Sequence, residues 1–181
     1  MEIGVYIHIP FCAKKCYYCD FTSYPDEVEN HNRYVEKLIQ EIQDNKEILK
    51  NNNITTIYIG GGTPSYIKAD YIKQILQTIY QVSGITNTNN LEITIEVNPG
   101  TVTKEKLQMY KKCGINRLSI GLQSTNDSIL KEIGRIHSYE QFIDTYNWAK
   151  EAEFNNINVD LMLGLPGQDI SDLKESLEKI V

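Results

Sequence analysis

Along this chain, short apolar runs rich in β-branched and aromatic residues alternate with longer stretches whose apolar residues recur at every third and fourth position. "IGVYIHI" (Ile3–Ile9), "TTIYIGG" (Thr55–Gly61), "LEITIEV" (Leu91–Val97), "NRLSIGL" (Asn116–Leu122) and "NINVDLMLG" (Asn156–Gly164) predict five strands, each bounded by turn formers. Val35, Leu38, Ile39 and Ile42 repeat at helical spacing, as do Ile72, Ile75, Leu76 and Ile79. Shorter helical patterns lie around Leu107–Lys112, Phe142–Ala149 and Leu173–Ile180. Strand and helix alternate at about 30 to 45 residues per unit, the signature of parallel βα units in an α/β protein. A doubly wound sheet and a (β/α) barrel both fit, and both place ligands at the carboxyl ends of the strands. The last residues, "ESLEKIV", fall within an amphipathic pattern that has no cap. The expectation is therefore one domain over residues 1–181, the N-terminal part of a longer protein, with a sixth strand to follow.

Composition narrows the partners. Hydrophobic residues make up 41 % and charged residues 23 % of the chain, which is ordinary for a soluble globular protein. The net charge of −6 argues against nucleic acid, which would call for a basic face, and against electrostatic adhesion to anionic lipid. "MEIGVYIHIP" has no basic n-region and its apolar run stops at Pro10, so it does not read as a signal peptide. No apolar run approaches the roughly 18 residues of a membrane helix. A cytoplasmic protein is expected, in which clustered cysteines are metal ligands rather than disulfides.

The unusual residues gather where the strands end. The first strand leads into "CAKKCYYC", with Cys12, Cys16 and Cys19, and the second into "GGGTPS" (Gly60–Ser65). The third carries Glu96 and enters "NPG", the fourth runs into Gln123 and Ser124, and the fifth carries Asp160. Three thiolates converging from one loop select zinc, copper(I) or an iron–sulfur cluster. The remaining cysteine, Cys113, lies in "KKCGIN" before the fourth strand. In a βα-repeat that is the opposite end of the sheet, about 17 Å away for a five-residue strand, so Cys113 is expected to be a small buried hydrophobe. Two readings of the trio remain. One is a zinc site completed by a residue such as His8 or Asp20. The other, which we favour, is a [4Fe–4S] cluster with one iron open to a ligand. Among the histidines, His8 is expected as a satisfied core residue, His31 as a solvated helix residue, and His137 in a local structural bond.

Three cysteines as C-x3-C-x2-C directly after the first strand resemble the radical S-adenosylmethionine (SAM) superfamily. Together, "YIHIPFC…CYYCDF", "GGGTP", "EVNPG", "NRLSIGLQS", "GRIH" and "VDLMLGLPGQ" resemble its oxygen-independent coproporphyrinogen III oxidase-like branch, which holds coproporphyrinogen III dehydrogenases and haem chaperones. The resemblance covers nearly the whole chain. It implies a partial parallel (β/α) barrel of radical SAM type with five βα units. It also implies a [4Fe–4S] cluster on Cys12, Cys16 and Cys19, with SAM on the open iron as the source of a 5′-deoxyadenosyl radical. By similarity, Gly61, Gly62 and Thr63 match the edge that pairs with SAM's amino group, and Glu96 and Gln123 match residues near its ribose and methionine parts. Arg135 matches a residue that holds a SAM carboxylate, which suits a guanidinium. Asp160 matches an adenosine-binding acid; a buried aspartate in an apolar strand would be costly without a partner. Tyr6 and Tyr18 match aromatic positions beside the cluster and a SAM adenine.

The dehydrogenases carry a further cysteine two residues after the third, where this chain has Phe21 in "CDF". The C-D-F version points to the haem chaperones, which bind haem and pass it to acceptor proteins. The resemblance thus implies haem or a porphyrinogen, a haem-acceptor protein and a reductase as partners, with oxidative decarboxylation of coproporphyrinogen III as the alternative activity. Peripheral membrane association of the full-length protein stays open.

Overall fold

The alternating apolar pattern produces a five-stranded parallel sheet, with a separate two-stranded sheet beside the cysteine loop. This computed structural model describes residues 1–25 and 27–180. Strand β1 spans Glu2–Ile9; two short strands, β2 (Phe11–Cys12) and β3 (Tyr24–Pro25), bracket the cysteine loop. Then come helices α1 (His31–Asp44) and α2 (Lys46–Asn51), β4 (Asn53–Gly61), α3 (Ala69–Ser83), β5 (Glu92–Val97), α4 (Lys104–Lys112) and β6 (Arg117–Gln123). Helices α5 (Asp127–Glu132) and α6 (Tyr139–Glu151), β7 (Asn156–Leu161) and α7 (Ile170–Ile180) complete the order. All five predicted strands are present. The last ends at Leu161 rather than Gly164, because the amide of Met162 turns to the carbonyl of Gln123 (3.0 Å) and Gly164 takes a left-handed φ of 72°.

The main sheet has the order β1-β4-β5-β6-β7, and every neighbouring pair is parallel. Spatial order follows chain order without a reversal, so the switch point of a doubly wound sheet is missing. Right-handed crossovers then put the helices on one face, giving a partial (β/α) barrel with five βα units. Toward the helices, Ile57, Ile59, Ile93, Ile95, Leu118 and Ile120 pack in one cluster with Ile72, Ile75, Leu76 and Ile79 of α3. The strand register aligns these positions across the sheet, and so aligns the alternate residues on the lumen face. There Tyr6 pairs with Tyr58, His8 with Gly60, Glu96 with Ser119, Ser119 with Asn158, and Gly121 with Asp160.

Local signals set the helix ends. Thr103 caps α4 through Lys106 N, Ser138 and Gln141 form a capping box on α6, and Gly84 closes α3 in the left-handed conformation. Among the described residues, no helix is long and apolar enough to cross a membrane.

Two histidine expectations fail. His31 is not solvated: it is only 5 % exposed, because the rings of Phe11 and Tyr66 cover it at 4.3 and 5.4 Å. Burial lowers its basicity. His137 is also buried, but neither ring nitrogen makes a hydrogen bond among the described residues. Burial, reinforced by the Arg135 charge, lowers its pKa to about 3, against a smaller opposing effect of the Leu122 backbone.

Candidate cluster and cofactor site

The cysteine loop is tied down at both ends and in the middle. Beyond β2, Cys19 N donates to Cys16 O (3.1 Å), closing a tight turn. Tyr17 N donates to Ile133 O (3.0 Å), which docks the loop on the turn after α5. The exit is held by His8: Nε2 lies 3.0 Å from Thr22 O, and Nδ1 lies 3.1 Å from the Tyr6 hydroxyl. A carbonyl can only accept, so Nε2 carries the proton and Nδ1 accepts from Tyr6. His8 is therefore satisfied, as expected, with both ring nitrogens committed, but it is half-buried on the lumen face rather than a core residue.

A cavity of about 590 Å³ opens at the carboxyl ends of the strands, beneath this loop. Cys12, Cys16, Cys19, Tyr18, Gly61, Gly62, Thr63, Glu96, Gln123, Arg135 and Asp160 all line it. Tyr6 does not. It is 58 % exposed, and its ring stacks at 6.1 Å on Tyr58, which does line the cavity. Cys113 sits at the end of α4, across the sheet from the trio, with its carbonyl bonded by the Tyr80 hydroxyl (2.8 Å). It packs half-buried against the core, where burial raises its thiol pKa.

Glycines make room for the rim. A Cβ on Gly62 would fall 2.8 Å from Phe11 O and 3.0 Å from Cys12 Sγ, so only glycine lets "GGGTP" pass under the first cysteine. The amides of this turn are already committed. Gly61 N binds Glu96 Oε2 (3.2 Å), Gly62 N binds Ile9 O (2.8 Å) and Thr63 N binds Phe11 O (2.8 Å). The Gly62 carbonyl has no donor among the described residues.

Glu96 reaches into the cavity from the end of β5. Tyr58 Oη donates to its Oε1 at 2.8 Å. Burial raises the Glu96 pKa, and the bonds from Tyr58 and Gly61 draw it part of the way back. Asp160 is not the buried aspartate that its apolar strand suggested. It stands half-buried on the sheet's outer strand and accepts from Ser119 Oγ (3.0 Å) and Asn158 Nδ2 (2.6 Å). Tyr58, Ser119 and Asn158 are site residues that the motif reading passed over. Their one sequence signal is the period-two alternation that puts them on the lumen face.

Gln123 adopts φ 74°, a left-handed conformation unusual away from glycine, at an irregularity in the β6–β7 register. Gly121 beneath it leaves space for two side chains, since a Cβ there would meet Gln123 Nε2 at 3.0 Å and Arg135 Nη2 at 3.2 Å. Arg135 donates Nη2 to the Gly121 carbonyl and lies 3.7 Å from Cys16 Sγ through Nη1. Its Nε is buried without a partner among the described residues. Tyr18 lies beside Cys16, and its phenol pKa is pushed up to about 12, chiefly by burial.

These residues fit an iron–sulfur cluster by the chemistry of their donors: three cysteine thiols, soft ligands as thiolates, line one cavity. A structural zinc ion would need a fourth ligand. His8, the histidine nearest in sequence, is spent on Tyr6 and Thr22. The three thiols instead share one rim with Lys14, Lys15 and Arg135, whose charge suits a set of thiolates.

The family profile described as the radical SAM superfamily matches residues 6–180. The chain is 42 % identical over 177 residues to the haem chaperone HemW of Buchnera aphidicola (subsp. Acyrthosiphon pisum), covering 97 % of this chain and 46 % of that protein. It is 38 % identical over 175 residues to HemW of Bacillus subtilis, covering 96 % and 46 %. Its fold superposes on the Escherichia coli coproporphyrinogen III oxidase HemN with a TM-score of 0.90 and 29 % identity, covering 98 % of this chain and 41 % of that one. The chain thus spans about half the length of the curated relatives it matches. A [4Fe–4S] cluster and SAM are the cofactors that the family implies. Match, fold and site together make this chain a member of the radical SAM superfamily, in its oxygen-independent coproporphyrinogen oxidase-like branch.

Proposed function

We propose that this chain is the N-terminal, cluster- and SAM-binding core of a haem chaperone, which binds haem and passes it to acceptor proteins. Phe21 carries this reading. It stands where the dehydrogenases of the branch place a further cysteine. Its ring is 67 % exposed on the rim of the cavity, while its carbonyl is held by Lys15 Nζ (3.0 Å) and Ser23 Oγ (3.3 Å). The relatives named HemW, at 42 % and 38 % identity, support the same choice.

In this reading Cys12, Cys16 and Cys19 hold the cluster as thiolates. Bound there, the cluster and SAM supply one-electron reductive chemistry. Arg135, braced on the Gly121 carbonyl, brings its guanidinium to the cavity wall, where it suits a carboxylate. Glu96 and Asp160 each present an oriented carboxylate to hydroxyl or amine donors. Gly61, Gly62 and Thr63 offer a backbone edge, Gln123 an amide, and Tyr18 an aromatic ring, with Tyr6 behind Tyr58. A cytoplasmic location, with a reductase to supply the electron, completes the proposal.

The test uses full-length protein reconstituted without oxygen. It should bind haem with a shifted Soret band and pass it to an apo-acceptor, and it should not convert coproporphyrinogen III to protoporphyrinogen IX when given SAM and reductant. Turnover of the porphyrinogen would overturn the proposal in favour of the dehydrogenase. A colourless protein with stoichiometric zinc would overturn both.

A further inference from the structure

We propose that Tyr58 is a positioning residue for the cofactor site: its phenol holds the Glu96 carboxylate in the orientation that faces SAM. The proposal rests on the reading of Glu96 as a SAM contact.

Glu96 belongs to β5, but β4 grips it. Tyr58 Oη donates to Oε1 at 2.8 Å and Gly61 N to Oε2 at 3.2 Å. The two donors lie either side of Gly60, so both carboxylate oxygens are fixed from one strand. Each oxygen can accept a second bond, which leaves capacity for a ligand in the cavity that Tyr58 and Glu96 both line. Gly60 is the condition for this grip. A Cβ there would fall 2.8 Å from Tyr58 Cε1 and 3.1 Å from Glu96 Cδ and Oε1. On the other side, the Tyr6 ring stacks on Tyr58 at 6.1 Å and an interplanar angle of 24°. The phenol therefore has little freedom to swing away from Glu96.

Protonation follows the same geometry. Burial and the bond to Glu96 both raise the Tyr58 pKa, so the phenol remains a donor at neutral pH. Burial has the larger effect and raises the Glu96 pKa; the same bond lowers it, the neighbouring Asp160 carboxylate raises it and His8 lowers it. Loss of the hydroxyl therefore raises the Glu96 pKa further, and less of the carboxylate is charged at a given pH.

The experiment measures SAM affinity of the reconstituted full-length protein by equilibrium dialysis, from about pH 5 to about pH 8. In Tyr58→Phe, affinity should fall about tenfold, the effect of losing a bond to a charged group, and the acid limb of binding should move to higher pH. Iron and sulfide content should not change. In a Glu96→Gln background, Tyr58→Phe should have no further effect, and Gly60→Ala should weaken binding although the phenol is present. If Glu96→Gln weakens binding while Tyr58→Phe changes neither affinity nor the acid limb, Tyr58 has no such role. If Gly60→Ala binds SAM like the wild type, the grip is unnecessary and the proposal falls. If Glu96→Gln itself binds SAM like the wild type, the reading of Glu96 is what fails.

Discussion

The two faces of the sheet obey different rules, although one alternation generates both. Toward the helices, Ile57, Ile59, Ile93, Ile95, Leu118 and Ile120 are fully buried and chemically alike. Toward the lumen, Tyr58, Gly60, Glu96, Ser119 and Asp160 all differ. The polar four are joined by directed bonds, and Gly60 is constrained by the space around it. The helix face is held by volume and area removed from water, so its residues contribute stability without specifying chemistry. The lumen face is held by geometry, so its residues specify chemistry and add less to stability.

That contrast can be broken from either side. The largest effect is expected on the lumen side: Cys16→Ala should lose the cluster. Iron and sulfide should fall to background, while the unfolding free energy of the apoprotein stays within about 0.5 kcal/mol of wild type. On the helix side, Ile93→Ala should cost about 2–5 kcal/mol in equilibrium unfolding, yet the folded fraction should still take up a full cluster. A variant that lost stability and cluster in equal measure on either face would dissolve the distinction.

A smaller effect sharpens it. His137 is a buried polar side chain. Its folded pKa is about 3, against an ordinary value of 6.5. Below pH 6.5 the unfolded chain takes up a proton that the folded chain refuses. Stability should therefore drop as pH falls from 6.5 toward 3, by at most about 1.4 kcal/mol per pH unit. Denaturant titrations of wild type and His137→Phe compare the slopes, and the variant should be flatter in that window. Glu96, with its raised pKa, works in the opposite sense, costing stability above the unfolded carboxyl range. It is present in both proteins and cancels in the comparison.

The same contrast explains what could be read before the fold was seen. Apolar alternation marks the strands to within two or three residues, because burial of one face enforces it. The order of strands in space is a long-range property, so barrel and doubly wound sheet stayed equivalent until the register was known. Cys12, Cys16, Cys19 and Asp160 stand out because thiols and a carboxylate are conspicuous in apolar or glycine-rich surroundings. Tyr58, Ser119 and Asn158 do not, since tyrosine, serine and asparagine at alternate positions look like any polar strand face. Their roles follow from register alone, which sets Ser119 beside Asn158 and puts Tyr58 within reach of Glu96. His31 misled for a related reason. Its sequence neighbours are polar, and the rings that bury it come from Phe11 and Tyr66, distant along the chain. Strands β2 and β3, two residues each, are too short for any periodicity.

The central claim is that three thiols hold a cluster whose fourth position is left for SAM. Electron paramagnetic resonance of the reduced, reconstituted full-length protein tests it directly. On adding SAM labelled with ¹⁵N at its amino group, the cluster signal should change and acquire a nitrogen coupling. A signal that is unaltered at saturating SAM, from a protein carrying about four irons and four sulfides per chain, would contradict it.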